Sequence, residues 1–499
     1  MDSVKQSDII SRRIVMALCV IGGLRILLFS LAFPFFNIID EKEHFDLIYK
    51  FSRLSWPGRD IHFSDKTIQD KIIYGSPEYL SVDTNSSMPL WRQKDFINSE
   101  KYVKSLESYR NEINYEISSP PVYYFLAGMW YRLGEIIGFS DAALVYWVRL
   151  MNVPVFMALI WFSWQLAKYC FTDKYKQIAV PLLVTFFPQD VFYTLSSDTL
   201  PPLLFAIIFY MMLKIYFENM SVRYHLFAGL LSAMLFLTRM PNAALLMLLA
   251  SIIIIKIKKE HTWSCLYRLC VLAAAFVIPA SICMVRNYYV FGDLTGIWFK
   301  AKYWGWTPKP FNQLWNHPFF LGNGISEFFT TLIATFWRGE LPWHWRGELL
   351  WYIDCIHSNM ADQFYIKSSI IFTAIAFFAF IYNFRKSNST YRIVIAMSFL
   401  VIAAAIFLQA FASILYDFHN CIAPSRGKPY FAAGRVISSV LVPFLLIYID
   451  GIWKLFGRLG SKAVILIIII MVAAITVSEF WITSPVFSSP YNFFGLFTN

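Results

Sequence analysis

Eleven apolar runs divide this chain, near residues 14–36, 142–168, 177–195, 199–217, 224–238, 241–256, 266–289, 367–384, 391–413, 434–454 and 463–481. A helix rises 1.5 Å per residue, so roughly 20 apolar residues cross a hydrocarbon core of about 30 Å, and these runs reach or approach that length. With 58% apolar and only 15% charged residues, against about 25% charge in an ordinary soluble chain, the sequence is not built to fold in water. Inside a bilayer each run must satisfy its own backbone hydrogen bonds, which selects helices. The expectation is an all-α polytopic membrane protein of about 11 transmembrane helices, with residues 1–499 forming a single membrane domain. The first run is a full span with no small-residue cleavage site after it, and reads as a retained anchor.

The net charge of +11 is read as topology, because Lys and Arg are retained on the cytoplasmic side. No basic patch interleaved with stacking aromatics points to nucleic acid. Pro120 to Gly138 is long enough to cross but carries Arg132 and Glu135. If it lies on the outer leaflet instead, the groups Lys168/Lys174/Lys176, Lys214/Arg223, Lys256/Lys258/Lys259, Arg385/Lys386/Arg392 and Lys454/Arg458/Lys462 all join the N-terminal Lys5, Arg12 and Arg13 inside. That assignment puts the N-terminus in the cytoplasm and the C-terminus outside. It leaves two large extracytoplasmic loops, 37–141 and 291–366, with short helices expected within them. Seven cysteines form no CxxC pair or zinc spacing; Cys355 and Cys421 are close enough in topology to form a disulfide in an outer loop.

The polar chemistry gathers on that outer face. Directly after the first span come Asp40, Glu41, Lys42, Glu43, His44 and Asp46. Asp40, Glu43 and His44 lie three and four residues apart and share a helix face. An acid at the water boundary is suited to take a proton from a hydroxyl; the plainer reading is a solvated helix start, where acids favour the dipole. Ser119-Pro120-Pro121-Val122-Tyr123-Tyr124 closes the first loop, and Phe187-Pro188 through Ser197-Asp198 interrupts two apolar runs. Asp198 is either a functional acid or a cap on the next helix. Arg239, Arg286, Arg338, Arg346, Arg426 and Arg435, with Lys428, supply cations on the same face. Guanidinium forks match phosphate oxygens, although any single one of them also suits a lipid headgroup. Arg25 and Arg149 lie within apolar segments, where a charge must find a partner or a polar cavity.

In this order the features resemble the GT-C superfamily of integral-membrane glycosyltransferases, which includes protein mannosyltransferases and lipid A aminoarabinose transferase, and most of all a bacterial family of predicted membrane proteins within that fold. The resemblance rests on Asp40-Glu41 with His44, on Pro120 to Tyr124, on Arg149-Leu150, on Pro188 with Ser197-Asp198, on Arg286 with Gly292 to Gly296, and on Gly434-Arg435. Ile39 stands where a Pro usually precedes the acid pair, and Val436 where a Tyr often follows the late Gly-Arg. The resemblance implies a polyprenyl-phosphate-linked sugar as donor and an inverting transfer outside the cytoplasm. The acceptor is an envelope glycan or lipid such as O-antigen or lipopolysaccharide, and the enzyme sits in a bacterial inner membrane. Asp40 would be the base, with Glu41 as second choice. Glu43, His44 and Asp198 would orient the acceptor or a metal, and Arg239, Arg286, Arg435 and Arg149 would hold the donor phosphate.

Three other readings stay open at the level of sequence. A transporter or flippase of a polar lipid would place ionisable groups near the midplane; a polysaccharide polymerase or ligase would use similar outer arginines; an envelope scaffold would not need Asp40. No cofactor is implied with certainty, and a divalent metal ion held by Asp40 and Asp198 is left open. Membrane lipids are expected partners and nucleic acid is not.

Overall fold

The protein is an all-α polytopic membrane protein, seen here in a computed structural model. The structure describes residues 2–36, 40–58, 60–76, 90–92, 98–260, 262–339, 355–421 and 424–497. Arg346 therefore lies outside the described residues, as does the side chain of Cys355 and with it the expected pairing with Cys421.

The helices in chain order are α1 (Asp2–Ala32), α2 (Glu41–Ser52), α3 (Asp65–Tyr74), α4 (Glu100–Arg110), α5 (Val122–Ile137), α6 (Asp141–Arg149), α7 (Asn152–Cys170), α8 (Lys174–Thr185), α9 (Pro201–Phe217) and α10 (Val222–Phe236). They continue as α11 (Leu245–Lys259), α12 (Trp263–Phe291), α13 (Ile297–Tyr303), α14 (Gly324–Arg338), α15 (Cys355–Tyr382), α16 (Ser389–Leu415), α17 (Leu441–Phe456), α18 (Ser461–Ser488) and α19 (Phe493–Phe497). An antiparallel pair, β1 (Thr307–Pro308) with β2 (Tyr416–Asp417), ties the segment after α13 to the end of α16.

Among the described residues, eight helical segments are long and apolar enough to span a bilayer, and all eight coincide with expected runs. The other three runs behave differently. Residues 199–217 and 224–238 form helices α9 and α10 of 17 and 15 residues, and 177–195 does not form one helix. There α8 ends at Thr185, Phe187-Pro188 follows, and a 3-10 turn covers Asp190–Tyr193. Proline cannot donate to the preceding turn and restricts the residue before it, so the break is local chemistry.

The segment from Gly434 to Leu459 is the centre of the bundle: 89% of its apolar window is buried, against 28% for the segment containing α18. Helix α5 is amphipathic. Tyr123, Tyr124, Ala127, Gly128, Tyr131 and Gly134 are buried, whereas Phe125, Met129, Leu133 and Ile136 are exposed. A Cβ at Gly128 would lie 2.8 Å from the Ser52 backbone nitrogen, so glycine here lets α5 press directly against α2. One face of α5 thus packs on α2 and the other presents apolar side chains outward.

Candidate functional site

The acid cluster is divided by the fold into groups with different jobs. Glu41 goes inward: Arg149 donates from Nε to its Oε1 at 2.8 Å and from Nη2 to its Oε2 at 2.7 Å. The backbone N–H groups of Phe36 (2.9 Å) and Leu195 (3.2 Å) donate to the same carboxylate. Arg149 spends its remaining donors on the carbonyls of Ser30, Phe33 and Pro34, where α1 ends and leaves them without helical partners. Both side chains are buried, and together they pin α1, α2, α6 and the turn before α9. Every Glu41 oxygen is thus committed to structure.

Asp40 is held differently. It stands at the N-cap of α2 in the left-handed region (φ 64°) and makes no capping bond to its own helix. An N-cap Asp normally accepts from N2 or N3 of its helix. Here the carboxylate instead accepts from the Tyr115 hydroxyl on Oδ1 and from Arg435 Nη2 on Oδ2 at 2.7 Å. Burial pushes the Asp40 carboxyl up, but the Arg435 guanidinium, His44 and the Tyr115 hydroxyl together hold the group below the usual carboxylate range. Asp40 is therefore an ionised carboxylate at neutral pH, with a lone pair on each oxygen to spare.

Arg435 sits in a 3-10 turn, Gly434–Val440, that leads into the central helix α17. Its Nε lies 3.8 Å from Asp198 Oδ2, so one guanidinium bridges the two acids. Asp198 in turn pairs with Arg239, whose Nη1 also reaches Ser197 Oγ at 3.4 Å, and the Asp198 carbonyl accepts from Ser438 at 3.2 Å. The N-cap of α9 is Leu200, so the Asp198 carboxylate serves the arginines and does not cap that helix. The Arg239 side chain remains 20% exposed, leaving it open at the edge of the cluster.

Three residues of this site carried no recognisable sequence signal: Tyr115, Glu116 and Lys300. Glu116 accepts from Lys300 Nζ of α13 at 2.7 Å and from Ser119. Burial pushes Glu116 up, yet Lys300, His44 and Arg239 together hold its carboxyl far below the usual range. His44 is fully buried; its Nδ1 shares a hydrogen bond with the Tyr124 hydroxyl at 2.8 Å, while Nε2 has no partner among the described residues. Burial takes its pKa down to about 4, so the ring is neutral at pH 7. Glu43 lies 3.5 Å from Lys42, and burial pushes its carboxyl up to about 8. Asn114 fixes the geometry from the side, donating to the Glu43 carbonyl at 3.0 Å and to Asp46 at 2.8 Å.

Of the candidate cations, Arg239 and Arg435 converge on Asp40 and Asp198, and Arg149 lies behind them on Glu41. Arg286 is elsewhere: it packs over Trp56 and Phe291 and donates to the Pro57 carbonyl. Arg338 pairs with Asp362 at 2.8 Å, Arg426 with Asp417 at 3.3 Å, and Arg25 with Glu479. Among the described residues no group of three or more His, Cys, Asp or Glu side chains gathers as a metal site. The cation between Asp40 and Asp198 is the Arg435 guanidinium, in the place a bridging metal would need. No step is therefore assigned to a metal.

No family model and no curated protein matches the chain. Among solved structures it is similar to the Archaeoglobus fulgidus oligosaccharyltransferase, whose crystal structure is a complex with Zn and sulfate, at 13% identity and a TM-score of 0.36. The match covers 74% of this chain, which spans 44% of that one.

Proposed function

We propose that the protein is an integral-membrane glycosyltransferase of GT-C type in a bacterial inner membrane. It moves a sugar from a polyprenyl-phosphate donor to an envelope glycan or lipid, such as O-antigen or lipopolysaccharide, on the extracytoplasmic face. The observation that carries this reading is the shape of the Asp40 site. An ionised carboxylate released from capping its own helix sits beside two guanidiniums, at the common end of several membrane helices.

In the proposed reaction Asp40 takes the proton of the acceptor hydroxyl as its oxygen forms the new bond to the anomeric carbon. The bond from that carbon to the phosphate oxygen breaks with inversion. The departing polyprenyl phosphate keeps the electron pair, and Arg239, backed by Arg435, stabilises the charge. Asp198 orients these arginines, and neutral His44 and Glu43 line the acceptor side. A lipid-bound donor has to be met at the membrane surface, and a cleft between outer loops and helices keeps water from competing for the sugar.

The test is the sugar composition and linkage of envelope glycans, by mass spectrometry, in cells carrying the wild-type protein, a deletion, or Asp40→Asn at matched membrane levels. Loss of one sugar in both deletion and variant, with the undecorated acceptor accumulating, is the expected result. Full restoration by Asp40→Asn would remove Asp40 from the base role. A deletion that leaves every glycan unchanged under expressing conditions would sink the transferase reading in favour of transport.

A further inference from the structure

The second outer loop brings an aromatic pair against the site that the reaction scheme above does not use. Tyr115, which donates to Asp40, stacks on Tyr303 with ring centres 5.2 Å apart and planes at 28°, and meets Trp304 edge-on at 5.0 Å. Tyr303 and Trp304 are mutually perpendicular, 5.1 Å apart at 87°, so the two rings form a corner. Tyr115 is buried, but Tyr303 is 39% exposed and Trp304 half-buried, with exposed Lys302 and Gly305 on either side.

The corner is fixed relative to Asp40. Lys300 of α13 donates to Glu116 and to Ser119 at 2.7 and 2.9 Å, and Ser118 donates to the Gly296 carbonyl at 2.8 Å. Gly296 has φ 73°, and a Cβ there would come within 2.7 Å of the Ser118 carbonyl oxygen; the close approach of α13 to the 115–118 turn needs glycine. Glu112, Lys42 and Glu43 act electrostatically on the Tyr303 hydroxyl. Lys42 and Glu112 pair with each other while remaining about a quarter exposed.

An open aromatic corner beside the partly exposed Lys42–Glu112 ion pair is chemically mixed. A hydrocarbon chain would leave that pair desolvated. A pyranose ring matches it, because one face presents C–H groups to an aromatic surface and the edge presents hydroxyls to charged side chains. We propose that Tyr303 and Trp304 form the platform that seats a sugar ring of the acceptor, next to Asp40 and apart from the arginines that face the phosphate. This rests on the glycosyltransferase reading for the word acceptor; the sugar-binding claim stands on the corner itself.

The experiment is saturation-transfer NMR on the full-length protein in detergent, with the methyl glycosides of glucose, galactose and mannose and with N-acetylglucosamine as probes. The wild type is expected to saturate ring C–H protons of at least one probe. The Tyr303→Ala/Trp304→Ala double variant should lose that signal, and Trp304→Phe, which keeps an aromatic face, should retain it. Circular dichroism and gel filtration check that each variant is folded. No saturation of any probe by the wild type, or equal saturation by the folded double alanine variant, overturns the proposal; so does loss of the signal in Trp304→Phe equal to that in the alanine variant. A photoreactive residue in place of Tyr303 that captures phospholipid instead of a glycoside also overturns it, as a membrane contact. If glycan profiles never change on deletion but probe binding still follows the two rings, the transferase reading fails and the sugar site remains.

Discussion

Asp40 and Glu41 are adjacent and chemically alike, yet their surroundings predict opposite phenotypes. Asp40→Asn keeps the shape of the side chain and its bonds to Tyr115 and Arg435 within reach, so membrane levels should hold while transfer falls by about 10² to 10⁴, the usual contribution of a positioned base. Glu41→Gln leaves Arg149 buried without its counter-charge and should cost about 3–5 kcal/mol, seen as low abundance and a lowered Tm in detergent. A Glu41 variant that is stable but inactive would reverse the two roles. His44 gives a pH signature. Its pKa is about 4 in the fold against 6.5 in the unfolded chain, so between those values acid protonates the unfolded chain first and stability falls as pH drops. His44→Gln should flatten the loss of Tm between pH 6.5 and pH 4; an unchanged slope would place the acid sensitivity in another group.

Among the helices, α1 is held by charge at two depths. At its C-terminal end Arg149 takes its last carbonyls, and within the apolar segment Arg25 pairs with Glu479 of α18, both side chains nearly fully buried. Arg25 Nε and Nη1 and Glu479 Oε2 have no further partner, so the pair is a clamp whose halves depend on each other. Arg25→Met should destabilise by about 3–5 kcal/mol because it strands a buried carboxylate, and Arg25→Met/Glu479→Leu should recover most of that loss. Thermal unfolding of the three proteins in one detergent measures the coupling. Additive losses would show that the two residues do not act as a pair.

For the whole molecule, the site residues come from the start of α2, the turn before α5, the turn before α9, the turn between α10 and α11, α13 and the turn into α17, all at one end of the bundle. We propose, from the alternation of basic loops, that this end lies outside the cytoplasm. A cysteine introduced at Lys104 of exposed α4 should therefore react with a membrane-impermeant maleimide in intact spheroplasts, and one at Lys386 only after lysis. The reverse pattern would invert the molecule and put Asp40 on the side of the cytoplasmic donors.

Hydropathy and charge made the membrane class and the eight long spans legible in the sequence, because each is a property of a continuous stretch and its water or lipid surroundings. The run at 177–195 was misjudged from its apolar content, although Phe187-Pro188 marked the break. Local spacing likewise picked out Asp40, Glu41 and His44, but it could not divide them. Whether an acid after the first span faces Arg149 or Arg435 depends on partners 108 and 395 residues away. Tyr115, Glu116 and Lys300 were hidden for the same reason, since nothing within the 184 residues from Glu116 to Lys300 marks them as a pair. Apolar length is summed along the chain and can be read there; a site made of ion pairs is defined by distances across the bundle, and those exist only once the helices have packed.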